Sequence, residues 1–131
     1  MTGVEVESCP CGTGRGYDDC CGRLHRGTAQ ARTALELMRS RYAAFVRHET
    51  GYLLRTWHPQ HRPRRIDLSP DQRWTGLTIH GVEAGGMLDK SGTVEFTAGY
   101  TDGGVARQQH ETSEFVRLDG RWVYVEAIDD R

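Results

Sequence analysis

All four cysteines of this 131-residue chain fall between Cys9 and Cys21, in a stretch with little else to fold it. Residues 1–27 are rich in Cys and Gly and poor in large apolar side chains. A segment this short cannot bury a core of its own, so a cross-link or an ion must organise it. The spacing is Cys9-Pro10-Cys11, eight residues, then Cys20-Cys21. Cys-x-Cys presents two thiolates to one ion from a tight turn. Gly12, Gly14 and Gly16 free the backbone to fold back, and Cys20-Cys21 supplies two more sulfurs. Four soft, deprotonated ligands suit Zn²⁺ in a closed tetrahedral site, which is structural and not catalytic. In a segment without a core, the free energy of metal binding becomes folding free energy. Disulfides are the weaker reading in a reducing compartment. A thioredoxin-like site would need Cys-x-x-Cys, which is absent. An iron–sulfur cluster uses the same ligand atoms, and His25 is an alternative fourth ligand. Zn²⁺ on Cys9, Cys11, Cys20 and Cys21 is the expectation.

The rest of the chain is an ordinary globular composition. Apolar residues make up 37%, enough for one modest core, and the length fits one domain or one domain plus a small module. A net charge of −1 points to no particular partner. No uninterrupted apolar run approaches the ~18 residues of a membrane span. Met1 to Glu7 lacks the basic and apolar regions of a secretory leader, so a cytoplasmic setting with reduced thiols is expected. Every basic residue except Lys90 is Arg, a bias that a GC-rich genome produces without functional cause. Eight Arg lie between Arg39 and Arg73, whereas acids outnumber bases ten to five from Glu83 onward, suggesting a basic and an acidic side.

Residues 33–48 read as a helix. Thr33 is a good N-cap with Glu36 three residues on, the pattern of a capping box. Leu35, Met38, Tyr42, Phe45 and Val46 form an apolar stripe, with Arg39, Arg41 and Arg47 off it and Gly51 as the stop. A second short helix over 52–58 ends at Pro59, and a polar loop runs to Gln72. Strands follow. Leu77 and Ile79 alternate with polar neighbours, and Val94, Phe96, Ala98 and Tyr100 alternate with Glu95, Thr97 and Gly99. Asp102-Gly103-Gly104 is a turn, Ala106 to Leu118 a long strand, and Asp119-Gly120 a hairpin signal. Arg121 to Ile128 closes the series, with Trp122, Tyr124 and Ile128 on one face. Helices followed by a curved antiparallel meander make an α+β fold.

Cys9-Pro10-Cys11-Gly12-Thr13-Gly14, Tyr17 and Cys20-Cys21-Gly22 resemble the SEC-C zinc motif, with Thr13 where Ser is more usual. Leu24-His25-Arg26-Gly27, Leu37 to Phe45, Tyr52-Leu53, Thr56-Trp57-His58-Pro59, His110-Glu111, Ser113-Glu114-Phe115 and Asp119-Gly120-Arg121-Trp122 extend the likeness to the YchJ-like family over nearly the whole chain. The resemblance implies a zinc module at 1–27 and, at 28–131, a cone-shaped domain like that of nuclear transport factor 2. It brings no catalytic residues.

Two functions are expected on this basis. The first is a zinc-stabilised protein or ribosome interaction module, docking through Arg15, Arg23, His25 and Arg26. The second is a small-molecule binder or enzyme using a pocket in the cone, for which Tyr42, Trp57, His58, His80, His110 and Glu114 are the polar candidates. His110, Thr112 and Glu114 share one strand face, and His58 would meet them across the cavity to supply acid–base chemistry. Catalysis is the less favoured reading. Arg62, Arg64 and Arg65 form the densest basic run. Nucleic-acid contact there is the lesser expectation, since no aromatic residue interrupts the run to stack bases. Homodimerisation through the sheet is a further expectation of the cone-shaped fold.

Overall fold

The computed structural model describes residues 7–129; the leader reading of Met1 to Val6 lies outside them. A 3₁₀ turn at Tyr17–Asp19 leads into α1 (Cys21–His25), α2 (Ala34–Arg47) and α3 (Thr50–Arg55). Four strands follow, β1 (Gln72–Ala84), β2 (Ser91–Asp102), β3 (Val105–Leu118) and β4 (Arg121–Asp129). They pair antiparallel in the order β1-β2-β3-β4, the expected meander.

The start of α2 follows its sequence signal. The Thr33 hydroxyl accepts from the Glu36 backbone N–H at 3.0 Å. The return limb of the box lands one residue early, with Glu36 Oε1 accepting from Arg32 N–H at 2.8 Å. The stop differs from expectation. His48 adopts the left-handed conformation at φ 60°, the place glycine usually takes. Gly51 lies inside α3 instead. That helix ends at Arg55 because Trp57 leaves to form a parallel bridge with Tyr124 of β4.

One face of the sheet carries the core. Val94, Phe96 and Ala98 of β2, Phe115 of β3 and Trp122 of β4 pack with Leu37, Met38, Tyr42 and Ala44 of α2, Tyr52 and Leu53 of α3, and Leu24 of α1. The β2–β3 turn has positive φ at Gly103 and Gly104, and the β3–β4 turn at Asp119 and Gly120, as tight hairpins with right-twisted strands require. Ile128 does not join Trp122 and Tyr124 on the inner face. The β3–β4 register shifts between Glu114 and Phe115, which reverses the alternation beyond Tyr124 and leaves Ile128 52% exposed. Between β1 and β2 the backbone of Gly85 meets that of Gly92. A Cβ on Gly92 would stand 2.4 Å from Gly85 Cα. This close approach lets Gly85 O accept from Ala34 N–H at 2.9 Å, seating the first turn of α2 on the sheet.

Candidate functional site

The N-terminal thiols form one cluster. All four are buried and free of disulfides, and their sulfurs lie within 4.8 Å of one another. Four sulfurs at ~2.3 Å from a central tetrahedral ion would stand ~3.8 Å apart; Cys11 and Cys20 Sγ are 3.6 Å apart. The set could therefore hold one metal ion. A narrow loop delivers the first pair. Cys9 N–H donates to Arg15 O at 2.8 Å, and Gly12 N–H donates back to Cys9 O at 3.2 Å. Gly12 and Gly14 take φ 89° and 88°, open to glycine at little cost. The turn at Tyr17–Asp19 and the start of α1 deliver Cys20 and Cys21. The Thr13 hydroxyl lies 3.2 Å from Cys20 Sγ and 3.7 Å from Cys11 Sγ, so Thr13 keeps the hydroxyl contact that Ser would give.

The thiols also show what an ion would neutralise. A hydrogen bond from the Cys21 thiol holds Cys11 down at about 4. The same bond, with burial, pushes Cys21 strongly up, and burial raises Cys9 to about 11. The cluster thus shares out little negative charge on its own. Four thiolates together need a cation among them.

His25 is not a ligand and not part of an outer surface. It is 8% exposed. Its Nδ1 lies 2.6 Å from the Tyr17 hydroxyl and its Nε2 lies 2.9 Å from Ser40 O. The Ser40 carbonyl can only accept, so Nε2 carries the proton and Nδ1 accepts from Tyr17. Burial lowers the His25 pKa and favours this neutral form. The Tyr52 hydroxyl and Ser40 Oγ extend the chain of bonds at 2.7 Å. Arg39 Nη1 donates to Cys11 O at 2.7 Å, and the Arg47 guanidinium lies 3.9 Å over the Tyr17 ring. These contacts fasten the cysteine segment to α2.

The remaining docking candidates divide. Arg23 donates to Cys20 O at 3.1 Å and pairs with Glu36 at 3.2 Å. Arg26 holds Asp18 at 3.4 Å. Arg15 is exposed. In the basic run, Arg62 donates to Trp57 O at 3.1 Å and Arg65 pairs with Asp67 at 3.2 Å, while Arg64 is exposed.

A cavity of about 390 Å³ opens between α2, β1–β3 and the loop through Leu68. Of the candidates read from the sequence, Tyr42 and Trp57 line it. The others do not. His80 and His110 lie on the far face of the sheet, their rings 5.5 Å apart. His80 contacts Thr97 at 2.7 Å and His110 contacts Glu95 at 2.8 Å. Glu114 shares that face with His110, as expected, but opposite Glu126 and away from the cavity. His58 packs edge-on to His61, held by its N–H on Tyr124 O at 2.7 Å. His58 thus sits against β4 with His61, while the His110 ring lies beside His80. The inward residues of β3 have the opposite parity: Gln109, Glu111, Ser113 and Phe115. Glu111 accepts from Gln109 Nε2 at 2.8 Å and from Ser113 Oγ at 2.9 Å.

Arg41, set off the apolar stripe in the sequence reading, is 5% exposed and lines this cavity. Its Nη1 donates to Leu53 O at 2.8 Å and Thr56 Oγ1 at 2.7 Å. Its guanidinium stacks on Tyr124 at 4.7 Å and Trp57 at 5.2 Å. Burial pushes its pKa down to about 10, so it remains a cation at neutral pH. The spacing Met38, Arg41, Phe45 was the available signal, since three and four residues on a helix return to one face. Burial also raises Tyr124 to about 12 with help from Glu111, leaving it a protonated phenol. The Trp57 Nε1–H is buried without a hydrogen-bond partner among the described residues. A second hollow of about 380 Å³, lined by Leu24, Tyr52, Arg55, Asp119 and Trp122 among others, lies between α1, α3 and the β3–β4 turn. Among the described residues no helix is long and apolar enough to cross a membrane.

A buried four-cysteine module fastened by one helix to a sheet-and-helix cone with an internal cavity defines the class, a SEC-C motif joined to a domain of nuclear transport factor 2 type. Family models agree, matching the SEC-C motif at residues 7–23 and the middle NTF2-like domain of YchJ at residues 33–127. The chain belongs to this YchJ-like, or UPF0225, family. A UPF0225 protein of Streptomyces coelicolor is 53% identical over 119 residues, covering 91% of this chain and 93% of the relative. One from Deinococcus radiodurans is 44% identical over 122 residues, covering 92% and 88%. The solution structure of a SEC-C motif protein from Rhodopseudomonas palustris superposes with a TM-score of 0.81 at 35% identity, covering 92% and 97%. A crystal structure of a SEC-C motif protein from Psychrobacter arcticus gives 0.77 at 26% identity, covering 92% and 81%.

Proposed function

We propose that this chain is a Zn²⁺ protein whose metal clips the N-terminal segment onto the cone, and whose cone receives a small organic molecule. The all-thiolate donor set supports Zn²⁺, which favours four sulfurs in a tetrahedron. The observation that carries the binding role is the open cavity itself, walled by Tyr42, Phe45, Trp74 and Phe96 with the buried Arg41 guanidinium among them. Buried donors in folded proteins are almost always paired; only Nη1 of Arg41 has an acceptor among the described residues, and a bound molecule would serve the other nitrogens. The candidate histidines lie elsewhere, and the reading is one of binding. The test is an NMR screen of the metal-loaded chain against a fragment library, followed at the Trp57 indole N–H. An Ala98→Phe variant, which fills the cavity floor, serves as control. Compounds that shift the indole signal in the wild type and not in the variant would support the reading. Equal binding to both would remove it.

A docking role for the metal module is the second reading. Arg15 favours it, because its exposed guanidinium makes no hydrogen bond or ion pair among the described residues. Arg23 and Arg26 contribute less, being engaged with Glu36 and Asp18. Ribosome co-sedimentation with the wild type and Arg15→Glu tests it; the same pelleted fraction for both would sink it.

A further inference from the structure

The cavity wall holds a buried cation that is in no direct ion pair among the described residues. Arg41 is buried, yet it forms no ion pair among the described residues. Its Nη1 is spent on Leu53 O and Thr56 Oγ1, which leaves Nε and Nη2 without a protein acceptor. Trp57 Nε1 is the one fully enclosed donor lacking a partner among the described residues, so those two Arg41 nitrogens keep contact with the cavity space. A buried cation without a counter-ion is costly, and folded proteins keep such groups paired or bound to something. Arg41 and the orphan Trp57 N–H belong to one stack, with the guanidinium 5.2 Å from the Trp57 ring. The Arg41 nitrogens that lack an acceptor therefore offer the cavity N–H donors that carry a positive charge.

The other walls limit the occupant. Tyr42, Phe45, Trp74 and Phe96 give the cavity an apolar, aromatic side. Glu111 and Asp67 also line it, the latter paired with Arg65, and these carboxylates oppose a doubly charged phosphate more than a single negative charge. Resting on the binding role proposed above, we infer that the ligand is a small carboxylic acid, its carboxylate seated on Arg41 and its ring-sized apolar body against Trp74 and Phe96. Planar guanidinium and planar carboxylate match in geometry as well as charge.

The experiment titrates the metal-loaded full chain at neutral pH with phenylacetate and 1-naphthoate, and in parallel with phenylacetamide and 1-naphthamide. The indole signals of Trp57 and Trp74 report binding. The acids are expected to bind at least tenfold more tightly than their amides and to shift both indoles. Arg41→Met is expected to erase that preference. Because the comparison of acid with amide is made on the wild type, it stands even where the variant fails to fold. Equal affinity for acids and amides would overturn the anion assignment and leave the cavity role intact. Failure of all four probes to bind would overturn both. Inorganic phosphate reproducing the Trp57 shift would overturn the choice of carboxylate.

Discussion

Stripping the metal from this chain should unfold one part of it and weaken, but not melt, the other. The cysteine cluster packs with only Tyr17 and Ala43, whereas the cone has a separate and much larger cluster. Structural Zn²⁺ sites of this kind are worth about 10–16 kcal/mol, comparable to the ~5–15 kcal/mol of a whole domain. Were the two clusters one cooperative unit, chelation would abolish folding. Instead the cone loses a short set of contacts. The buried Tyr17–His25 bond is worth about 1–3 kcal/mol when one partner is left unsatisfied. The Arg39–Cys11 bond and the Arg47–Tyr17 stack add about 1 kcal/mol more. A loss of about 2–4 kcal/mol lowers the cone's Tm by about 10–20 °C at this size. Far-UV circular dichroism melts with and without chelator, with hydrogen exchange on residues 8–23, measure both parts. Complete loss of a cooperative transition, or an unchanged Tm with residues 8–23 still protected, would refute the reasoning.

Three further outcomes are expected. Gly92→Ala places a Cβ 2.4 Å from Gly85 Cα and should cost about 1–3 kcal/mol of denaturant stability through overpacking. Gly99→Ala meets only the rotatable Thr75 hydroxyl and should cost less; the reverse order would contradict the packing account. Phe115→Ala, at a fully buried position, should cost about 3–5 kcal/mol by urea denaturation, and a loss under 1 kcal/mol would mean the core is not continuous there. The third concerns pH. Burial lowers the folded-state pKa of His25, while Glu49 raises it and Arg47 and Arg55 lower it. The unfolded chain therefore binds the proton more tightly. Stability is complete above the unfolded value of about 6.5 and falls below it, by up to ~1.4 kcal/mol per pH unit. The stability gap between wild type and His25→Gln should narrow from pH 7.5 to 5.5; a constant gap would contradict this linkage.

The sequence displayed the parts whose physics is local. The cysteine spacing, the Thr33 cap, the alternation of Val94, Phe96 and Ala98, and the glycine turns each carry their signal within a few residues, and the structure bears them out. What it concealed depended on partners far away. His48 closes α2 in a conformation that no neighbour demands, so Gly51 looked the better stop. Whether His110 or Glu111 faces inward depends on the sheet's pairing with β2, since a strand of polar residues marks neither face as buried. Arg41 resembled fifteen other arginines until Leu53 O and Thr56 Oγ1 were brought to it from another helix.

Helix α1 has a consequence for how this chain can be divided. Its first residue, Cys21, belongs to the thiol cluster. Its fourth, Leu24, sits in the interior of the cone, and the carbonyls of Leu24 and His25 receive Arg55. Five residues thus serve two interiors at once. A shortened chain that begins at Thr28 would leave a hole where Leu24 stood and Ser40 O without its imidazole donor. The smallest fragment that keeps the cone sealed begins ahead of Leu24. Keeping one module without the other would accordingly expose an unsealed interior in whichever half was kept.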